Sequence, residues 1–112
     1  MDSILDSVKK MLGITSEYEQ FDKDIIMHIN SVFTILNQLG VGPEDGFAIA
    51  DKSNKWTDFI GTGKTLEAIK SYVYLKVKLI FDPPSSSTAL ESYNKLISEL
   101  EWRILLSADP KE

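Results

Sequence analysis

Residues 65–82, TLEAIKSYVYLKVKLIFD, decide the fold class because two periodicities compete within them. A β-strand interpretation rests on strict alternation of side chains, but the alternation covers only the second half, from Tyr72 to Leu79. A helical interpretation covers the whole run, with apolar residues three or four positions apart at Leu66, Ile69, Val73, Val77 and Ile80. We therefore predict a helix, with apolar residues spread widely enough to contact neighbours on two sides.

The segments around this run show the same helical period and have recognisable ends. Asp2 or Ser3 is suited to cap a short helix that stops at Gly13. Longer helices are expected from two capping boxes, Ser16-Glu-Tyr-Glu19 and Thr88-Ala-Leu-Glu91. The predicted helices span residues 3–12, 16–39, 65–82 and 88–106, with one extra turn around Trp56 and Phe59 that Asn54 would cap. The fold class is therefore all-α, a small bundle of about four to five helices.

Residues 40–53, GVGPEDGFAIADKS, interrupt the helical pattern. Three glycines, a proline and four charged side chains, three of them acidic, surround the short apolar patch Phe47-Ala-Ile49. We predict one long irregular loop here, with at most a brief extended pair. Loops of this length in a small domain are usually functional or disordered.

The composition indicates one globular domain over residues 1–112, with a mobile tail at 107–112. The net charge is −5, and residues 1–63 hold ten acidic but only five basic side chains, which disfavours direct binding of nucleic-acid phosphates. The chain has no cysteine, and no signal peptide or membrane-spanning stretch is visible. We expect a soluble protein of the cell interior or of a virion.

The string GTGKT at 61–65 resembles the end of a nucleotide-binding loop. That motif requires a glycine five residues before its second glycine, and this position is Asp58, whose charge would repel a phosphate. The residues before it do not form an apolar strand pattern. We predict a hinge and helix start here, not nucleotide binding.

The remaining polar residues indicate no chemistry. His28 has neither an evident nucleophile nor an orienting partner, and the spacing of Glu44, Asp45 and Asp51 fits no calcium loop. We therefore predict no catalytic residue, no cofactor-binding residue and no metal ligand, and expect that the protein is not an enzyme.

Four stretches carry a resemblance to a known family: ILDSVKKMLGI, FDKDIIMHINSVFTILNQLGVGP, GFAIADKSNKWTDFI, and the run from Leu66 to Ile104 that includes KLIFDPP and LEWR. Together they resemble the small head–tail connector proteins of tailed bacteriophages and prophages, also called adaptor or head-completion proteins. The resemblance covers nearly the whole chain and implies a small helical bundle.

The resemblance also implies a structural role in the virion, at the interface between head and tail, after a period in the cytoplasm of the bacterial host. Copies would assemble as a ring, twelve-fold on the portal protein, extend the DNA channel, and present a platform to the next stopper or tail protein. DNA would pass without sequence-specific binding, and no membrane would be involved. An acidic helical protein-binding or regulatory module is the alternative.

Two groups of residues are candidates for contact with partners. The acidic side chains of Glu44, Asp45 and Asp51 would face the channel, because negative charge keeps passing DNA from adhering. Trp102 would pack on an adjacent helix or on a neighbouring subunit. Ile104, Leu105 and Leu106 cannot all face one core stripe, so at least one should be exposed, and with the tail they would dock onto the portal.

Overall fold

The decisive run is a helix. The computed structural model describes residues 3–59 and 64–108, and in it a single helix covers Lys64–Phe81. Ile69, Val73 and Val77 are fully buried along this helix, as the helical interpretation predicted. Ile80, at the end of the helix, is half exposed. The all-α prediction is confirmed.

The described part of the chain contains five helices: α1 (Ile4–Met11), α2 (Asp22–Gln38), α3 (Trp56–Phe59), α4 (Lys64–Phe81) and α5 (Ser87–Ala108). In these residues extended pairing is limited to one isolated antiparallel bridge, between Ser3 and Lys55. That bridge lies outside the 40–53 loop, for which the sequence allowed a brief extended pair.

Helix α4 is the centre of the bundle, because α1, α2 and α5 all pack against it. The α2 and α4 helices run antiparallel. Phe21, at the start of α2, contacts Phe81 at the end of α4, whereas Phe33 farther along α2 meets Trp56, which in turn contacts Tyr74. The α5 helix returns along α4 after a short Pro-rich turn. Consequently α2 and α5 run parallel, and their C-terminal ends lie at the same end of the bundle.

The first helix is joined to α2 through a buried lysine. Ser3 caps α1 by accepting a hydrogen bond from the Asp6 backbone N–H at 3.2 Å, as predicted. Lys9 is only 1% exposed, its Nζ lies 2.8 Å from Asp22 Oδ1, and the same ammonium donates a hydrogen bond to the Ser16 carbonyl at 3.1 Å. The segment between α1 and α2 therefore folds around the Lys9 side chain.

This contact explains why the first capping-box prediction was wrong. Ser16 lies in a turn, not at a helix start, and α2 begins only at Asp22 with no side-chain cap. The Ser16 carbonyl is committed to Lys9, and Asp22 places its acidic group in the first turn of α2, where the helix dipole favours it.

The 40–53 loop is held against α2 by side-chain hydrogen bonds. The Asn30 amide bonds both backbone groups of Ile49, at 3.1 and 2.7 Å, and Asn37 donates to the Pro43 carbonyl at 3.1 Å. Phe47 packs edge-on against Phe33 at 5.2 Å between ring centroids. The loop is irregular, as predicted, but it is anchored at two points.

The caps of α3 and α5 also differ from the prediction. Asn54 does not cap α3; its side-chain oxygen accepts from the backbone N–H of Ala50, and Asp58 accepts from that of Lys55. Helix α5 is capped by Ser86, not by Thr88, through a 3.0 Å bond from the Ala89 N–H.

The C-terminal helix is longer than predicted. It continues to Ala108, so the first two residues assigned to a mobile tail are helical. Residues 109–112 of that predicted tail lie outside the described residues, as do residues 60–63, which carry the glycines of GTGKT.

Candidate interaction surfaces

Asp58, His28 and the acidic side chains of the loop lie in the part of the chain that the structure describes. The residues before GTGKT form the helical turn α3, not a strand, and the Asp58 carboxylate is bonded to the Lys55 N–H. His28 is partly buried beside the Phe81 ring. Within residues 3–59 and 64–108, no group of three or more histidine, aspartate or glutamate side chains is placed to hold a metal ion.

The three acidic candidates of the loop are all exposed, but they do not form one cluster. The Glu44 segment is tied to Asn37, whereas Asp51 follows the Ile49 backbone tied to Asn30. These two anchor points on α2 are seven residues, or about 10 Å, apart. The surface therefore carries two separate negative positions along the side of α2.

Asp51 is held in its charged form by local hydrogen bonds. Its carboxylate accepts from both the hydroxyl and the backbone N–H of Ser53. These two bonds lower the pKa of Asp51, since they stabilise the ionised state. Its charge is therefore secure at neutral pH.

The end of α5 presents an apolar surface to solvent. Trp102 is 62% exposed, Leu105 47% and Leu106 51%. Ile104, in contrast, is completely buried, because it lies on the same face of α5 as the buried Ile97, two helical turns farther along. The expectation that at least one of the three consecutive residues is exposed is confirmed, but the inclusion of Ile104 in a partner-binding surface was wrong.

Trp102 does not find a buried position against another helix of its own chain. The alternative of a neighbouring subunit therefore remains the prediction for this residue. We call Trp102, Leu105 and Leu106 the α5 apolar surface. Because α2 and α5 run parallel, it lies at the same end of the bundle as Glu44 and Asp45.

A third surface was missed at the sequence level. A cleft of about 650 Å³ lies between α1, residues 14–16 and α4. Its lining combines Lys10, Met11 and Ile14 with Lys70 and Tyr74 of α4, and Asp6 lies at one side. We call it the α1–α4 cleft. No local pattern reveals it, since its wall depends on how residues 14–16 fold around Lys9.

Tyr74, which lines this cleft, has a raised pKa, chiefly because burial disfavours the phenolate. It is therefore a neutral, partly buried ring at physiological pH. The cleft thus offers an aromatic and aliphatic wall with two cationic side chains.

A family model described as phage connector protein matches residues 4–111. The chain belongs to this family. The match covers the whole bundle, including the 40–53 loop, the α5 apolar surface and the α1–α4 cleft. It confirms the resemblance seen in the sequence. No curated protein and no solved structure matches the connector chain.

Family membership supplies the coarse function. The phage connector proteins are structural proteins, so this connector is a component of the phage particle that associates with other head or tail proteins. None of the helices in residues 3–59 and 64–108 is both long and apolar enough to cross a bilayer.

Proposed function

We propose that this connector protein assembles as a ring, twelve-fold beneath the portal, where it extends the DNA channel and forms the platform for the next stopper or tail protein. The main support for the proposal is that this member of the connector family exposes the α5 apolar surface to solvent. Large apolar side chains gathered at one exposed helix end mark a contact with another protein. The ring would form at the head–tail interface of the virion, from chains made in the host cytoplasm.

We assign the portal contact to Leu105 and Leu106 together with the residues that follow them. Both leucines are about half exposed, and burial of each would contribute on the order of 1 kcal/mol or more to binding. Ile104 contributes differently, because it holds α5 on the bundle and so positions the two leucines.

The double substitution Leu105→Ser/Leu106→Ser tests this contact without disturbing the core. Filled heads produced with this variant should lack the connector and fail to join tails, while the purified protein keeps its helical circular dichroism and melting temperature. Leu90→Ser is the matched control, since Leu90 is also exposed but lies at the other end of α5. Normal occupancy of the double variant on heads would refute the portal assignment. A truncation should start at Leu105, since removing Ile104 would also damage the core.

We assign Glu44, Asp45 and Asp51 to the channel wall. These groups are exposed and carry negative charge toward solvent, which would limit adhesion of DNA phosphates. DNA would then pass the ring without being bound.

Replacement of all three by lysine tests the channel assignment. Because exposed charges contribute little to stability, the variant should fold and assemble normally. DNA ejection from particles that carry it should slow, most strongly at low salt, because lysines bind phosphates electrostatically. The control replaces three exposed acids outside the loop, Asp24, Glu91 and Glu99, by lysine. Equal ejection rates in wild-type and loop-variant particles would remove these residues from the channel.

A further inference from the structure

The α1–α4 cleft has no role in the contacts proposed so far, yet its chemistry is specific. Its wall is largely apolar, because Met11 and Ile14 line it together with Tyr74. An occupant of the cleft must therefore be apolar as well.

The two lysines narrow the choice of occupant further. Lys10 and Lys70 both line the cleft, and an ammonium group attracts the face of an aromatic ring. Lys70 already lies 5.9 Å from the centroid of the Trp56 ring in its own chain. The Met11 thioether, on a side chain that is 57% exposed, also favours aromatic contact. A large aromatic ring meets these requirements.

Among the residues that the structure describes, Trp102 is the most exposed aromatic side chain, ahead of Tyr18 at 46% and Phe21 at 37%. Of the two tryptophans of the chain, Trp56 is 1% exposed and Trp102 is 62% exposed. Trp102 cannot reach the cleft of its own chain, because α5 and the cleft lie on opposite sides of α4. On α4, Tyr72 faces α5, because its hydroxyl donates a hydrogen bond to Glu101 at 2.7 Å. The cleft residues Lys70 and Tyr74 lie two positions before and after Tyr72 on α4, so each projects about 200° around the helix from Tyr72.

We infer that the α1–α4 cleft of each copy receives the Trp102 indole of a neighbouring copy. The indole ring would lie against Met11, Tyr74 and the two lysines. Such a contact joins two different surfaces, the cleft of one copy and the tryptophan of the next. Each added copy therefore leaves a free cleft or a free tryptophan for another copy, and the chain of copies becomes a ring when the last copy meets the first. The inference rests on the proposed ring and names the contact between its subunits.

Site-directed cross-linking tests the contact. Because the chain has no cysteine, only the introduced cysteines can react. Thr15 lines the cleft, and Ser98 is exposed one helical turn before Trp102. A Thr15→Cys/Ser98→Cys chain, bound to filled heads that lack the wild-type connector, should yield a ladder of covalent oligomers with a short bismaleimide. The matched control is Thr34→Cys/Ser98→Cys, in which the first cysteine lies on the exposed side of α2 and no ladder should form.

The indole itself is tested by adding Trp102→Ala to the Thr15→Cys/Ser98→Cys chain, which should reduce the ladder at least tenfold. An unchanged ladder would show that another group makes the contact. If cryo-imaging shows full rings but neither cysteine pair gives a ladder, the inference is wrong while the proposed ring stands. Cross-linking of Thr15→Cys to a portal or tail protein would assign the cleft to that partner and also overturn the inference. If the wild-type chain forms no ring on heads, both proposals fail.

Discussion

Replacing Lys9 by methionine should destabilise the fold by about 2–3 kcal/mol, although the substitution keeps most of the apolar stem. The ammonium is buried, lies 2.8 Å from Asp22 Oδ1 and donates to the Ser16 carbonyl. Removing one partner of a buried ion pair typically costs about 3–5 kcal/mol. The Asp22 side chain is 23% exposed, so water can hydrate the remaining carboxylate in part, which lowers the expected cost.

Thermal unfolding followed by circular dichroism measures this effect. With an unfolding entropy of about 2.1 cal/mol/K per residue, a chain of this length should lose roughly 10 °C in melting temperature for 2–3 kcal/mol. Lys10→Met is the matched control, because Lys10 is exposed, and it should change stability by less than about 0.5 kcal/mol.

A double-mutant cycle separates the ion pair from packing. Asp22→Asn should also be destabilising, but Lys9→Met/Asp22→Asn should be more stable than the sum of the single effects by about 1–3 kcal/mol. If Lys9→Met melts with the wild type, or if the two effects simply add, the ion pair does not hold α1 to α2. Lys9→Met should also weaken the contact between neighbouring copies, because Ser16, which Lys9 holds in place, forms part of the α1–α4 cleft.

Three further expectations concern the loop, the core and the GTGKT segment. Gly42→Ala should lower the free energy of unfolding by at least about 2 kcal/mol, because Gly42 has φ +88° and an added Cβ would meet the Phe59 ring. Gly46→Ala is the control for backbone strain alone, since Gly46 has φ +92° but open space around it, and equal losses of stability in urea unfolding would exclude the steric clash. Burial and the hydrogen bond to Glu101 raise the pKa of Tyr72, so the unfolded chain ionises first and stability should fall as pH rises above about 10. Tyr72→Phe should lose about 1 kcal/mol at neutral pH but show a shallower alkaline decline, and identical pH profiles would contradict this. Calorimetry with magnesium ATP or GTP should show no binding, and a dissociation constant in the micromolar range would reverse the interpretation of GTGKT.

The sequence by itself determined the helices, the turn between α4 and α5, and the family. Helical periodicity is a local property, so the spacing from Leu66 to Ile80 was sufficient to choose helix over strand. The two prolines that follow Asp82 end α4 for an equally local reason, since proline cannot continue a helix. The exposure of residues near the end of α5 also followed from spacing alone, because consecutive positions on a helix face different directions.

Only the tertiary structure decided where α2 begins, which α5 residues are exposed, and how the cleft forms. Ser16 has the sequence of a cap, but Lys9, which lies seven residues earlier and outside the four-residue capping pattern, donates a hydrogen bond to its carbonyl. Ile104 and Leu105 are equally apolar, and the packing of α5 on α4 alone buries the first and exposes the second. The physical reason is common to all three. Burial and partner choice depend on contacts between different structural elements, whereas periodicity and capping patterns report only on neighbours within a few residues.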